Sequence, residues 1–96
     1  MKTIDVNAKE WFDKVNGNSY FSGRITLDYG TPYEKIIPMP FQYGYGSQYE
    51  YEAMAVLNQL NYISMKNQQH IYSYCHENGI ILRRNKQENC KKRDVI

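Results

Sequence analysis

Residues Tyr20 to Tyr29 alternate without a break, and that regularity limits the fold more than any other feature of the chain. Phe21, Gly23, Ile25, Leu27 and Tyr29 share one side of an extended backbone, and Tyr20, Ser22, Arg24, Thr26 and Asp28 share the other. A helix would scatter both sets around its axis. The segment therefore predicts a half-buried strand, with Tyr20, Ser22, Arg24 and Thr26 turned away from the core. Asn16-Gly17-Asn18-Ser19 stands immediately before it, and Asn and Gly accept the left-handed backbone that tight turns require.

The flanking segments extend the same pattern. Gly30-Thr31-Pro32-Tyr33-Glu34 reads as a turn, with Pro32 fixing φ. Lys35 to Tyr43 reads as a second strand, antiparallel to the first. Pro38 and Pro40 lack the N–H that a central strand must donate, so this strand belongs at an edge or breaks near Pro38. Upstream, Lys2 to Val6 alternates over a short span and predicts a short strand. Trp11, Phe12 and Val15 have the spacing of a helical turn, so Ala8 to Val15 reads as a short helix or irregular loop laying Trp11 over the core.

Helical signals begin at Ser47-Gln48-Tyr49-Glu50, which fits a capping box at the start of a helix running to about Asn61. Tyr49, Ala53, Val56, Leu57 and Leu60 form its apolar stripe. Tyr62 to Met65 reads as a brief extended link. A second helix follows from about Gln68 to Asn78, with Ile71, Tyr74, Cys75 and Asn78 on one face and Gly79 as its left-handed stop. Ile80-Ile81-Leu82 opens a last strand that continues into Arg83-Arg84-Asn85. These elements predict an α+β fold: a small antiparallel sheet of three to four strands with two helices packed on one face. A chain of 96 residues holds one core of this kind, taken as residues 1–85, followed by a basic C-terminal tail, 86–96.

The net charge of +2 hides an uneven distribution. Arg83, Arg84, Lys86, Lys91, Lys92 and Arg93 face only Glu88 and Asp94 in the last stretch, leaving the remainder slightly acidic. Cys75 and Cys90 have neither disulfide-framework nor zinc-ligand spacing, so reduced thiols and no metal are expected. Charges at Lys2, Asp5, Lys9 and Glu10 interrupt the N-terminal stretch where a secretory signal would be apolar, and no run has the length of a membrane span.

The chemistry-bearing residues favour binding over catalysis. His70 and His76 lie six apart on one predicted helix, on divergent sides, and do not converge on a metal or a proton path. No catalytic residue and no cofactor is expected. Pro40-Phe41-Gln42-Tyr43-Gly44-Tyr45-Gly46-Ser47 instead places rings and glycines just before a helix. Backbone N–H groups there suit an anion, and Tyr43 or Tyr45 suits a flat ligand, although neither a Walker P-loop nor a dinucleotide fingerprint is present. The alternative use of those glycines is simply to turn the chain while the tyrosines pack. The candidate binding set is Tyr20, Tyr43, Tyr45, Arg24, Arg83, Arg84, Lys86, Lys91, Lys92 and Arg93. It suits a protein interface built on aromatic and arginine anchors, or phosphate contacts to nucleic acid or a nucleotide. The oligomeric state stays open, since the prolines discourage pairing at the edge strand.

Trp11-Phe12-Asp13-Lys14-Val15-Asn16-Gly17-Asn18-Ser19-Tyr20-Phe21-Ser22-Gly23-Arg24, followed by Pro40-Phe41-Gln42-Tyr43-Gly44-Tyr45-Gly46, resembles a group of short bacteriophage and prophage proteins of uncharacterised activity. The likeness spans roughly the first half of the chain and the first helix, and the basic C-terminal stretch is similar too. It carries over no catalytic residue. It implies a phage or mobile-element origin and action in the cytoplasm of an infected bacterium, where a small non-enzymatic phage protein is expected to inhibit a defence system or another host enzyme.

Overall fold

Alternation continues well beyond Val6, so the first strand is more than twice the expected length. In the computed structural model, which describes residues 1–64 and 70–96, β1 runs from Thr3 to Asp13 and buries Ile4, Val6 and Ala8. The next position on that side is Glu10, whose charge hides the repeat, and Trp11 points the other way. The expected helix or loop over Ala8 to Val15 is therefore mostly strand. Asp13 then closes the turn, its carboxylate accepting the N–H groups of Val15 and Asn16 while Gly17 takes φ +71°.

From this turn β2, Asn18–Leu27, returns antiparallel to β1, pairing Tyr20 with Trp11 and Ile25 with Val6. It ends two residues before Tyr29 because Asp28 adopts φ +51° and its carboxylate accepts the N–H groups of Lys2 and Thr3. Tyr29 is consequently exposed, and Thr26, expected to face away from the core, is buried on its own side of the sheet. β3, Lys35–Tyr43, forms the antiparallel hairpin and the sheet edge as expected. A bulge beside Phe21 absorbs Pro40 and Phe41, where a missing proline N–H does no damage.

The chain then crosses one face of the sheet through α1, Gln48–Gln59, and α2, Ile71–Glu77, before entering β4, Ile81–Gln87. That crossover carries it back to the end where β1 begins, so β4 lies parallel to β1, and the sheet, in order β3-β2-β1-β4, is mixed and not wholly antiparallel. Both helices end in Schellman turns. Asn61, at φ +63°, and Gly79, at φ +66°, are the left-handed residues, with Tyr62 N–H reaching the Leu57 carbonyl at 2.9 Å and Ile80 N–H reaching Cys75 at 2.8 Å. Tyr62 and Ile63 are thus turn rather than extended chain. Met65 and the expected helix start at Gln68 lie outside the described residues.

The core lies between this helical layer and the sheet. Ile4, Val6, Phe21, Ile25, Ile37 and Met39 meet Tyr49, Ala53, Leu57, Ile71 and Cys75 there. Val56 is partly buried, Leu60 is half exposed, and Met54 completes the stripe in its place. The expected capping box does not form: the Ser47 hydroxyl makes no cap bond, and Glu50 is drawn into the interior.

Residues 86–96 do not leave the domain as a tail. β4 continues through Gln87, and a short α3, Lys92–Val95, folds onto the sheet face opposite the other helices. Val95 is buried there, and its carbonyl accepts the Ser22 hydroxyl.

Candidate functional site

The face of the sheet opposite α1 and α2 is covered only in part, by α3, and its exposed end is aromatic. Trp11 from β1 and Tyr20 from β2 are register partners, so their rings leave the sheet side by side, stacked at 5.6 Å. The bulge in β3 sends Phe41 to the same side, where it stacks on Tyr20 at 5.2 Å and lies 6.5 Å from Trp11. Tyr43, paired with Tyr20, meets that ring edge-on and remains 61% exposed. Lys92 of α3 holds its ammonium over Trp11 at 5.4 Å. Four aromatic side chains from three strands thus form one contiguous patch with a cation at its margin.

Arg24 stands on the same face. It forms no ion pair or side-chain hydrogen bond with the described residues. Arg83 also faces this side but is held by Asp5, with Nε to Oδ1 at 2.6 Å and Nη2 to Oδ2 at 3.0 Å, a bidentate pair that raises the guanidinium pKa further.

The remaining predicted residues lie elsewhere. Strand alternation puts Arg84 and Lys86 on the helix side. Arg84 binds buried Glu50 at 2.6 Å, and that hydrogen bond raises its pKa. The Lys86 ammonium lies 3.3 Å from carboxylates of both Glu10 and Glu88 and donates to the Gly46 carbonyl at 2.9 Å. It is a structural cation, unavailable to a ligand. Lys91 opens α3, its N–H donating to Asp94, and Arg93 is exposed on that helix.

The aromatic-glycine junction divides into separate parts. Gly44 is buried and its N–H donates to the Ser19 carbonyl; a Cβ there would meet the Phe21 ring at 2.6 Å. Gln48 and Glu50 spend their N–H groups on Tyr45 and Ser47 carbonyls, and the Gly46 carbonyl is turned to Lys86. These glycines serve chain reversal and close packing, whereas Tyr45 projects outward, 70% exposed, away from any anion cradle.

Sequence reasoning missed Trp11 and Phe41 as members of the patch. Counting outward from a two-residue Asn16-Gly17 turn would set Trp11 across from Ser22; the hairpin instead closes at Asp13 and Asn18 around a four-residue loop, and that shift is what brings Trp11 opposite Tyr20. The bulge that brings in Phe41 has no signature in the sequence.

Among the described residues, no group of three or more His, Cys, Asp or Glu side chains converges in a way that would hold a metal ion, and no helix is long and apolar enough to cross a membrane. Burial raises the Cys75 thiol pKa, which keeps it protonated and unreactive. No family model, curated protein or solved structure matches the chain.

Proposed function

We propose that this chain acts by binding, as a phage-encoded effector whose open sheet face docks on a bacterial host protein, a defence complex or another host enzyme, and inhibits it. The observation that supports this reading most directly is the Trp11–Tyr20–Phe41–Tyr43 patch, three half-buried rings and the exposed Tyr43, with Arg24 and Lys92 beside it. Trp, Tyr and Arg are the side chains that most often anchor protein interfaces, because each joins a large apolar area to a polar group. The phage origin comes from the sequence likeness alone.

Nucleic-acid binding is the second reading, and the cations on this face are what favour it. A single strand, however, stacks successive bases on rings spaced along a charged groove. Here three rings crowd within 5.2 to 6.5 Å of one another, while Arg84 and Lys86 are committed to acids on the far side of the sheet. That arrangement suits one apolar contact better than a track.

Affinity capture from nuclease-treated bacterial lysate tests the choice. The expected result is a stoichiometric protein complex, inhibited in its own activity and lost on Tyr43→Glu. Capture that disappears with nuclease, or that Tyr43→Glu leaves intact, refutes the proposal.

A further inference from the structure

We infer that the open face carries, next to the aromatic patch, a receptor site for an extended, carboxylate-bearing segment of the partner. This deepens the protein-binding reading and rests on it. Asn85, Asn7 and Arg24 are register partners across β4, β1 and β2, so their side chains stand in one row on the open face. Neighbouring strands are about 4.8 Å apart, which sets two amides and a guanidinium within reach of a single planar acid. None of the three side chains has a hydrogen-bond or ion-pair partner among the described residues.

Two grooves meet at this row. One, of about 480 Å³, extends toward α3 past Ser22 and Phe41; the other, of about 500 Å³, extends toward Thr26 and Tyr29. Asn7 and Arg24 line both, so the grooves adjoin at the row and follow one another along the strands, a trough in two halves. That direction suits an extended segment lying over the sheet.

Charge selects the occupant. Of the acids around this face, Asp5 is paired with Arg83, while Glu34, Asp13 and Asp94 keep their charge and accept from the Gly30 N–H, the Asn16 amide and the Lys91 N–H; none of the four forms an ion pair with Arg24 or Lys9. Arg24 and Lys9, both at the trough, have no acid partner among the described residues. A bidentate carboxylate supplies what the row lacks, whereas a phosphate backbone requires a longer line of free cations.

The test uses isotope-labelled protein and three probes: a short peptide alternating glutamate with tyrosine, its glutamine counterpart, and a short oligothymidine. The glutamate peptide is expected to shift the Asn7 and Asn85 side-chain amides and the Arg24 Nε–H. Binding should weaken about tenfold or more for the glutamine peptide, and equally for Arg24→Gln with an unchanged Tm. Equal binding of both peptides, or perturbation by oligothymidine alone, overturns the inference, as does silence with all three probes. Shifts confined to Trp11, Phe41 and Tyr43 overturn the acid site while leaving the aromatic binding face standing.

Discussion

Glu50 tests the account of how the helical layer is fixed, because sequence and structure assign it different work. The capping box would give its carboxylate to the helix start. In the fold it is 7% exposed and binds the Arg84 guanidinium at 2.6 Å, with His70 Nε2 3.8 Å away. Removing Arg84 strands a buried acid, and breaking a fully buried pair costs roughly 3–5 kcal/mol, against about 0–1 for an exposed one. Since the Arg84 side chain is 39% exposed, water offsets part of the loss, and Arg84→Gln is expected to cost about 2 kcal/mol. Glu50→Gln, which removes the charge but keeps the shape, should make Arg84→Gln nearly silent. Urea unfolding of the four proteins in this double-mutant cycle should therefore give a coupling of about 1–2 kcal/mol. Ser47→Ala is expected to change little, because the hydroxyl makes no cap bond. A coupling below about 0.5 kcal/mol, or a Ser47→Ala loss near the ~1 kcal/mol of a working cap, would refute this reasoning.

Three other perturbations probe different parts of the molecule. Gly44→Ala drives a methyl into the Phe21 ring at 2.6 Å and Gln48 Cγ at 2.8 Å, so urea unfolding should show a loss of about 1–3 kcal/mol. Asp13 and Asp28 have lowered pKa values, Asp13 chiefly through the Asn16 side chain and Asp28 through the Lys2 N–H. Their stabilisation is present above the unfolded carboxylate value of about 4 and is lost as pH falls through the lower folded values. Thermal melts should decline below about pH 4, and less steeply for Asp28→Asn. Trp11 is the chain's one tryptophan, so Lys92→Ala, which removes the ammonium over its ring, should shift its fluorescence emission at a stability cost of about 0.5–1 kcal/mol.

Segments whose local chemistry agrees with their burial were legible in the sequence. β2 alternates cleanly, Pro38 and Pro40 mark an edge, and Gly79 stops α2 where left-handed backbone is needed. Legibility failed where a long-range partner overrides the local signal. Glu10 occupies a core-side strand position because Lys86 compensates it from β4, and this interrupted the apparent repeat of β1. Glu50 looked like a capping residue because Arg84, thirty-four residues away, is invisible to a local reading. The parallel entry of β4 was hidden for the same reason: strand direction depends on how the helices cross the sheet, and no residue of Ile81–Gln87 encodes it. At the candidate site, Tyr20 and Arg24 were legible as outward-facing residues, and Tyr43 only as a candidate ring at the glycine junction. Their company was not, since the row with Asn7 and Asn85 exists only once register is set.

The basic C-terminal stretch shows why charge counted along a chain is a poor guide to charge on a surface. β4 alternates, so consecutive Arg83 and Arg84 leave the sheet on opposite sides, one to Asp5 on the open face and the other to Glu50 beneath the helices. Lys86 follows Arg84 and is spent on Glu10, Glu88 and the Gly46 carbonyl, tying the helix start to the sheet. Three of the six cations are therefore structural, and neutralising them should alter stability before it alters any affinity. Arg24, from a part of the chain with no cluster of like charges, has no acid among the described residues and sits where two grooves meet. A cation already matched inside its own chain must break that match to serve a partner, whereas Arg24 gives up only water. The electrostatic attraction of this face should accordingly follow Arg24, with Lys9 beside it, more than the three cations of β4.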